Sequence, residues 1–267
     1  MAEQEGRLWV VGIGPGSYED MTIRAARILE QCDTIIGYTV YADLVRSIYP
    51  GKEFLTTPMR GELERCRIAF REASAGKKVA MVCSGDAGVY GMAGPVLELG
   101  ALWPGIRVEI VPGVTSALSG AALLGAPLMH DFCLISLSDL LTPLHLIEKR
   151  ILAAAGSGFV IVFYNPSSRK RADYLQKACD LILRFRSPET MCGCVSRIGR
   201  EGEAFRILTL KELREAETDM FTTAYVGNER TKTVGGKLVT ERGYRFDGKE
   251  NSDICGDNGG KGAGGVS

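Results

Sequence analysis

Apolar side chains in the first half of the chain fall into short blocks of two alternating kinds. Residues 8–11, 34–39, 53–56, 79–83 and 108–111 are compact runs with β-branched or aromatic members, as expected of strands in a buried sheet. Between them, residues 21–32, 41–48, 61–75 and 93–99 repeat apolar positions at helical spacing. In 61–75, for example, Leu63, Cys66, Ala69 and Phe70 share one face. Strand and helix in alternation predict a mostly parallel sheet covered on both sides. An Ala- and Leu-rich helix follows PGVTS at 112–116, and the pattern then breaks around GAPLMH at 125–130. It resumes with more strands, at 132–136, 158–164, 190–195, 206–209 and 221–226, and with helices at 143–155 and 170–185. The reading is an α/β chain of two α/β domains, 1–127 and 128–247, with a cleft between them. Residues 248–267, ending GDNGGKGAGGVS, hold too few apolar side chains to join a core and are expected to form a mobile tail.

The stretch 79–94, VAMVCSGDAGVYGMAG, has the strongest claim to a ligand site. In open α/β sheets ligands bind beyond the carboxyl ends of the strands, and Gly85, Gly88, Gly91 and Gly94 would let backbone approach closely there. Asp86 is the one charged group in that loop; the simpler alternative is that the glycines only make a turn. A second loop, GIGPGS at 12–17, also follows a strand. It departs from the dinucleotide pattern G-x-G-x-x-G, because Ser17 stands where the last glycine belongs and Pro15 removes an amide from the phosphate cradle. The second strand, 34–39, ends in Gly-Tyr-Thr with no acid to hold a ribose hydroxyl, which weighs against a nicotinamide-dependent oxidoreductase. In PGVTS, Thr115 and Ser116 stand at a helix start, where N-capping is their simplest role.

Composition narrows the function classes. Of 267 residues 45% are apolar and 24% charged, and the net charge is zero, so no global field favours nucleic acid. No run of about 18 apolar residues would span a membrane, and the start lacks a leader-like apolar region, so a cytoplasmic protein is expected. The eight cysteines are scattered apart from Cys192-Gly-Cys194, and only His130 and His145 could join them. With no C-x-x-C, buried free thiols are expected rather than a metal site, and a cluster would have to recruit cysteines from distant segments.

Six segments in fixed order carry a family resemblance: GIGPGS at 12–17, SGDAGVYGMA at 84–93, PGVTS at 112–116, HDFCLISLSDLLTP at 130–143, FYNPSSRKR at 163–171 and VTERGY at 239–244. Together, over residues 8–246, the chain resembles the precorrin-3B (cobalt-factor III) C17-methyltransferases of corrin biosynthesis. The resemblance implies a tetrapyrrole methylase fold, usually a homodimer, with S-adenosyl-L-methionine in the cleft and S-adenosyl-L-homocysteine as product. It also implies methyl transfer to C17 of precorrin-3B, or of its cobalt-containing counterpart, with ring contraction. Methylation of another corrin carbon on the same fold is the neighbouring alternative.

By the same resemblance, contacts to the methyl donor fall on Gly14 and Pro15, on Gly85, Asp86, Ala87 and Val89, on Thr115 and Ser116, and on Tyr164, Asn165 and Gly193. Asn165-Pro166 departs from the methionine-containing turn of several related methylases. The carboxylates of a tetrapyrrole call for cations, for which Arg60 and the cluster Arg169-Lys170-Arg171 are candidates; a solvated helix start explains the cluster equally well. His130 and Asp131 are the expected acid–base pair for ring contraction, with a structural histidine as the alternative. Ser136, Ser138 and Asp139 are placed in the same pocket, although Asp139 or Thr142 would equally cap the helix after Pro143.

Overall fold

The five strand-like runs of the first half become β1 (Gly6–Gly12), β2 (Thr34–Tyr38), β3 (Glu53–Thr57), β4 (Lys78–Cys83) and β5 (Ile106–Val111) in a computed structural model. The structure describes residues 6–168 and 172–244. The strands pair in parallel in the order β3-β2-β4-β1-β5. Alternation along β1 and β4 feeds two cores. Leu8, Val10, Val79 and Met81 pack under α3 (Glu62–Ser74) and α4 (Ala93–Gly100), while Trp9, Val11, Ala80 and Val82 pack under α1 (Ile23–Gln31) and α2 (Thr39–Arg46). Thr22 caps α1, its hydroxyl accepting from the Ala25 amide at 3.1 Å.

A last helix of this half, α5 (Ser116–Leu124), leads through β6 (Gly125–Ala126) into a second sheet made of β7 (Phe132–Ser136), β8 (Val160–Tyr164), β9 (Met191–Ser196), β10 (Ala204–Thr209) and β11 (Thr222–Val226). The order is β10-β9-β11-β8-β7, with β7 and β8 parallel and β11 antiparallel to both β8 and β9. Helices α6 (Leu144–Gly156), α7 (Tyr174–Ile182) and α8 (Leu210–Arg214) cover one face through Ile147, Ile151, Leu175, Ile182, Leu210 and Leu213. Hairpin strands β12 (Thr231–Val234) and β13 (Lys237–Thr240) add a small third sheet with β6, since β13 pairs with Gly125 and Ala126.

The other face of the second sheet is covered by α5, whose Ala117, Ala121 and Leu124 pack with Val162, Val195 and Tyr225. The approach is close: a Cβ on Gly120 would lie 2.3 Å from the Tyr225 hydroxyl oxygen. By packing, α5 and β6 therefore belong to the second half, ahead of the boundary expected at 127/128. Their small residues show that a partner comes near, but not which sheet supplies it. The α/β class and the two-part architecture are as the sequence predicts. Four elements were not foreseen, β6, α8, β12 and β13, and α7 is shorter than the helix expected at 170–185. Residues 169–171 and the tail at 248–267 lie outside the described residues. No described helix is long and apolar enough to cross a membrane.

Candidate active site

The chain leaves β1 toward β2 and leaves the adjacent β4 toward β5, on the opposite side, so a crevice opens beyond their carboxyl ends. Three glycine loops meet there. Gly14 and Gly85 exchange backbone hydrogen bonds of 3.1 and 2.7 Å, each in the left-handed region with φ of 76° and 70°. Gly12, Gly85 and Gly113 touch backbone to backbone, so that a Cβ on Gly113 would lie 2.2 Å from the Gly85 carbonyl oxygen. Asp86 ties the loops together. Its Oδ1 accepts from the Gly88 amide at 2.7 Å and its Oδ2 from the Gly113 amide at 2.9 Å. The structure thus makes Asp86 a brace between two loops.

The second half closes the crevice with the carboxyl ends of β8 and β9 and the amino end of β11. The cleft between the halves holds a cavity of about 130 Å³. Tyr164, at the end of β8, reaches across it: its hydroxyl lies 2.6 Å from Thr115 Oγ1 and accepts from the Ala117 amide at 2.8 Å. Thr115 occupies the N-cap position of α5 yet makes no capping bond, so a tyrosine at the end of β8 satisfies the start of the helix packed on its own sheet. The Tyr90 ring stands 5.4 Å from that of Tyr164, and Asn165 donates to Ser136 Oγ at 3.0 Å. Burial holds the phenols of Tyr41, Tyr90 and Tyr164 above their ordinary pKa, so they stay protonated.

The described non-glycine residues with positive φ are Arg60, Tyr90, Asn165 and Arg197, and the last three line the cleft. Such backbone is costly for ordinary side chains and concentrates at functional sites. Arg200 joins the halves from the loop after β9. Its Nε donates to the Pro15 carbonyl and its Nη2 to Ser84 Oγ, both at 2.9 Å, and Phe221 and Tyr41 lie 5.4 and 6.0 Å from its guanidinium carbon. A Cβ on Gly16 would lie 2.7 Å from the Gly199 carbonyl oxygen, so the first loop and the Arg200 loop are also in close contact.

The expected site residues separate into groups. Pro15, Val89, Ser116, Tyr164 and Asn165 line the cleft, while Gly14, Gly85, Asp86, Ala87 and Thr115 form the wall behind it. Gly193 is elsewhere: a Cβ there would lie 2.7 Å from the Leu124 side chain, which marks it as a packing glycine of β9. His130 and Asp131 precede β7, whereas the cleft lies past its other end, where Ser136 pairs with Tyr164. At strand rise His130 is about 20 Å from Ser136, so the expected acid–base pair is not brought to the site. Asp131 is exposed, and its carbonyl accepts from the Val160 amide at 3.0 Å.

Arg60 is also not among the lining residues; it is exposed, beyond edge strand β3, and its amide donates to Glu62 at 3.2 Å. Arg169, Lys170 and Arg171 lie outside the described residues. Asp139 accepts from the Tyr174 hydroxyl at 2.7 Å, and α6 begins at Pro143 without a side-chain cap. Cys192 and Cys194 share one face of β9 and pack in the core between the second sheet and α6–α8 with Cys179, whose thiol burial pushes up to about 12. Tyr41, Ser84, Arg197, Arg200 and Phe221 escaped the sequence reading. The signal for the two arginines was SRIGR at 196–200, a glycine-centred turn just past a strand.

Comparison with known proteins places this geometry in a family. Residues 7–214 match the model of the tetrapyrrole (corrin/porphyrin) methylases. The chain is 46% identical over 238 residues to a probable cobalt-factor III C(17)-methyltransferase of Salmonella typhimurium, covering 89% of this chain and 99% of that one. It is 44% identical over 246 residues to the cobalt-factor III methyltransferase of Priestia megaterium, covering 90% of this chain but spanning only 46% of that longer protein. Among solved structures, the methyltransferase CobJ superposes with a TM-score of 0.81 at 33% identity, covering 88% of this chain and all of that one. Uroporphyrin-III C-methyltransferase from Thermus thermophilus, complexed with S-adenosylhomocysteine, superposes with a TM-score of 0.64 at 25% identity, covering 83% and 92%. With the family model covering most of its length and these relatives on either side, the chain belongs to the tetrapyrrole methylases.

Proposed function

We propose that this chain is an S-adenosylmethionine-dependent methyltransferase of cobalamin biosynthesis. It methylates C17 of cobalt-factor III or of metal-free precorrin-3B, with contraction of the macrocycle. The observation that carries the reading is the end-to-end match to the Salmonella typhimurium protein, in a chain whose cleft lies where three glycine loops converge. A precorrin-3B C(17)-methyltransferase of a Sinorhizobium species, 40% identical over 234 residues, supports the metal-free alternative.

The residues present suit such a ligand. The cleft lies beyond the carboxyl ends of β1 and β4, where ligands bind in open α/β sheets, and side-chain-free backbone at Gly12, Gly85 and Gly113 lets the loops behind it pack together. When bound, S-adenosylmethionine supplies an electrophilic methyl on a sulfonium, whose in-line transfer to carbon depends on alignment more than on a side-chain nucleophile. Pro15, Val89 and Ser116 would hold the donor on the side of the first sheet, and Tyr164 and Asn165 on the side of the second. The Tyr164–Thr115–Ala117 contacts fix the two walls relative to each other, which serves that alignment. The homodimer implied by the family resemblance finds support in exposed apolar side chains such as Leu141, 98% exposed; sedimentation of the purified protein tests it.

The function is tested by calorimetric titration with S-adenosylhomocysteine, followed by incubation with S-adenosylmethionine and cobalt-factor III or precorrin-3B. Saturable binding and a mass gain of one methylene unit in one tetrapyrrole are expected. Well-folded protein that neither binds the nucleoside nor methylates either substrate would overturn the proposal.

A further inference from the structure

The cleft is lined by fifteen residues of which only two are charged, and both are arginines, Arg197 and Arg200. A cationic lining suits a sulfonium poorly unless the arginines meet negative charge on a ligand. Arg200 is the better placed. Its Nε and Nη2 are held by Pro15 and Ser84, which fixes the plane of the guanidinium. Among the described residues no carboxylate pairs with it and nothing accepts from Nη1. Burial lowers its pKa, with no neighbouring acid to offset the cost. An arginine presented this way offers a ready fork for a carboxylate, and the aromatic rings of Tyr41 and Phe221 help keep it charged.

We propose that Arg200 is a positioning and specificity residue of the cleft, whose free guanidinium edge receives a carboxylate of the bound ligand. The inference rests on the methyltransferase reading, and both ligands of that reading carry the group: the amino-acid end of the methyl donor, and the acetate and propionate arms of the tetrapyrrole. In either case the bond to Arg200 would register the ligand against the first loop through Pro15 and against the loop after β4 through Ser84.

The experiment compares wild type, Arg200→Gln and Arg200→Lys. Each is titrated with S-adenosylhomocysteine and with its decarboxylated analogue, and each is assayed with cobalt-factor III for KM and kcat. If the donor's carboxylate is received, Arg200→Gln binds S-adenosylhomocysteine about 10- to 100-fold more weakly while its affinity for the analogue is unchanged. If a tetrapyrrole carboxylate is received, nucleoside affinity is unchanged and the KM for cobalt-factor III rises by about the same factor, with kcat within about twofold. Arg200→Lys should recover part of either loss, keeping the charge without the fork. Unchanged affinity and unchanged KM in Arg200→Gln would overturn the inference. So would equal weakening toward both nucleosides with an unchanged KM, which would make Arg200 a brace for Pro15 and Ser84 alone. Failure of the underlying reading shows separately, as wild-type protein that neither binds nor turns over, and the inference falls with it.

Discussion

Replacing Asp86 by asparagine separates two roles for this residue, because the side chain keeps its shape and loses one acceptor. Asp86 holds two backbone amides from two loops, Gly88 at 2.7 Å and Gly113 at 2.9 Å. Whichever way the new amide turns, its NH2 faces one of those N–H groups, donor against donor. A hydrogen bond to a charged group contributes about 1.5–3 kcal/mol, so a loss of about 2 kcal/mol is expected, with the greater consequence when the Gly113 bond is the one lost. For a chain of this size that lowers the thermal midpoint by about 4–8 °C. Asp86→Ala removes both bonds and should cost more. Since Asp86 stands behind the lining, S-adenosylhomocysteine affinity should fall only modestly in Asp86→Asn, by about tenfold or less, as the loops loosen. Thermal unfolding and calorimetry on the same preparations decide the matter. An unchanged midpoint with nucleoside binding abolished would refute the brace and restore a direct ligand contact.

Four further outcomes follow from the same structure. Gly113→Ala, whose Cβ would lie 2.2 Å from the Gly85 carbonyl oxygen, should lose nucleoside binding and cost about 3 kcal/mol or more; Gly94→Ala, in α4 with nothing within 4 Å of its Cβ, should stabilise by about 0.5–1 kcal/mol in urea unfolding. Burial raises the thiols of Cys32, Cys66 and Cys83 from 9.0 to about 11, so above pH 9 the unfolded chain releases protons that the fold retains. Stability should hold below that pH and fall as pH rises toward 11, seen as a declining urea midpoint; a flat profile would contradict the burial. Arg186 donates to the backbone carbonyls of Ala154, Ala155, Phe159, Val226 and Gly227, tying the end of α6 to the end of β11, so Arg186→Met should cost about 3 kcal/mol or more by orphaning acceptors, with nucleoside affinity retained.

The first sheet was legible because its central strands are buried on both faces and read as unbroken apolar runs, as in 79–83. The glycine loops were legible for a related reason: Gly12 and Gly113 sit where any side chain would collide and Gly85 takes a φ of 70° that side chains disfavour, so their residue type is dictated by backbone alone. Other features depend on distant partners. Asp86 was correctly placed in the central loop, but its role depends on an amide 27 positions away. His130 and Asp131 looked attractive by residue type, yet they precede a strand whose far end meets the cleft. Arg200 was overshadowed by the denser charge cluster at 169–171. Strands as short as β6, two residues long, have no periodicity to read.

The placement of α5 has a consequence for how the chain can be divided. The helix is made as the last piece of the first half, yet its apolar face is completed only by the second sheet. A ribosome releasing the chain would present a finished parallel sheet carrying an uncovered helix until β8, β9 and β11 follow. A split-protein pair cut after residue 127 would put that helix on one fragment and the surface it covers on the other, leaving both prone to aggregate. A cut between Gly113 and Thr115 leaves α5 and β6 with the sheet they stabilise. The seam of this protein thus runs through the active-site loop itself, so fragments joined at that seam should recover their ligand site only as they recover each other.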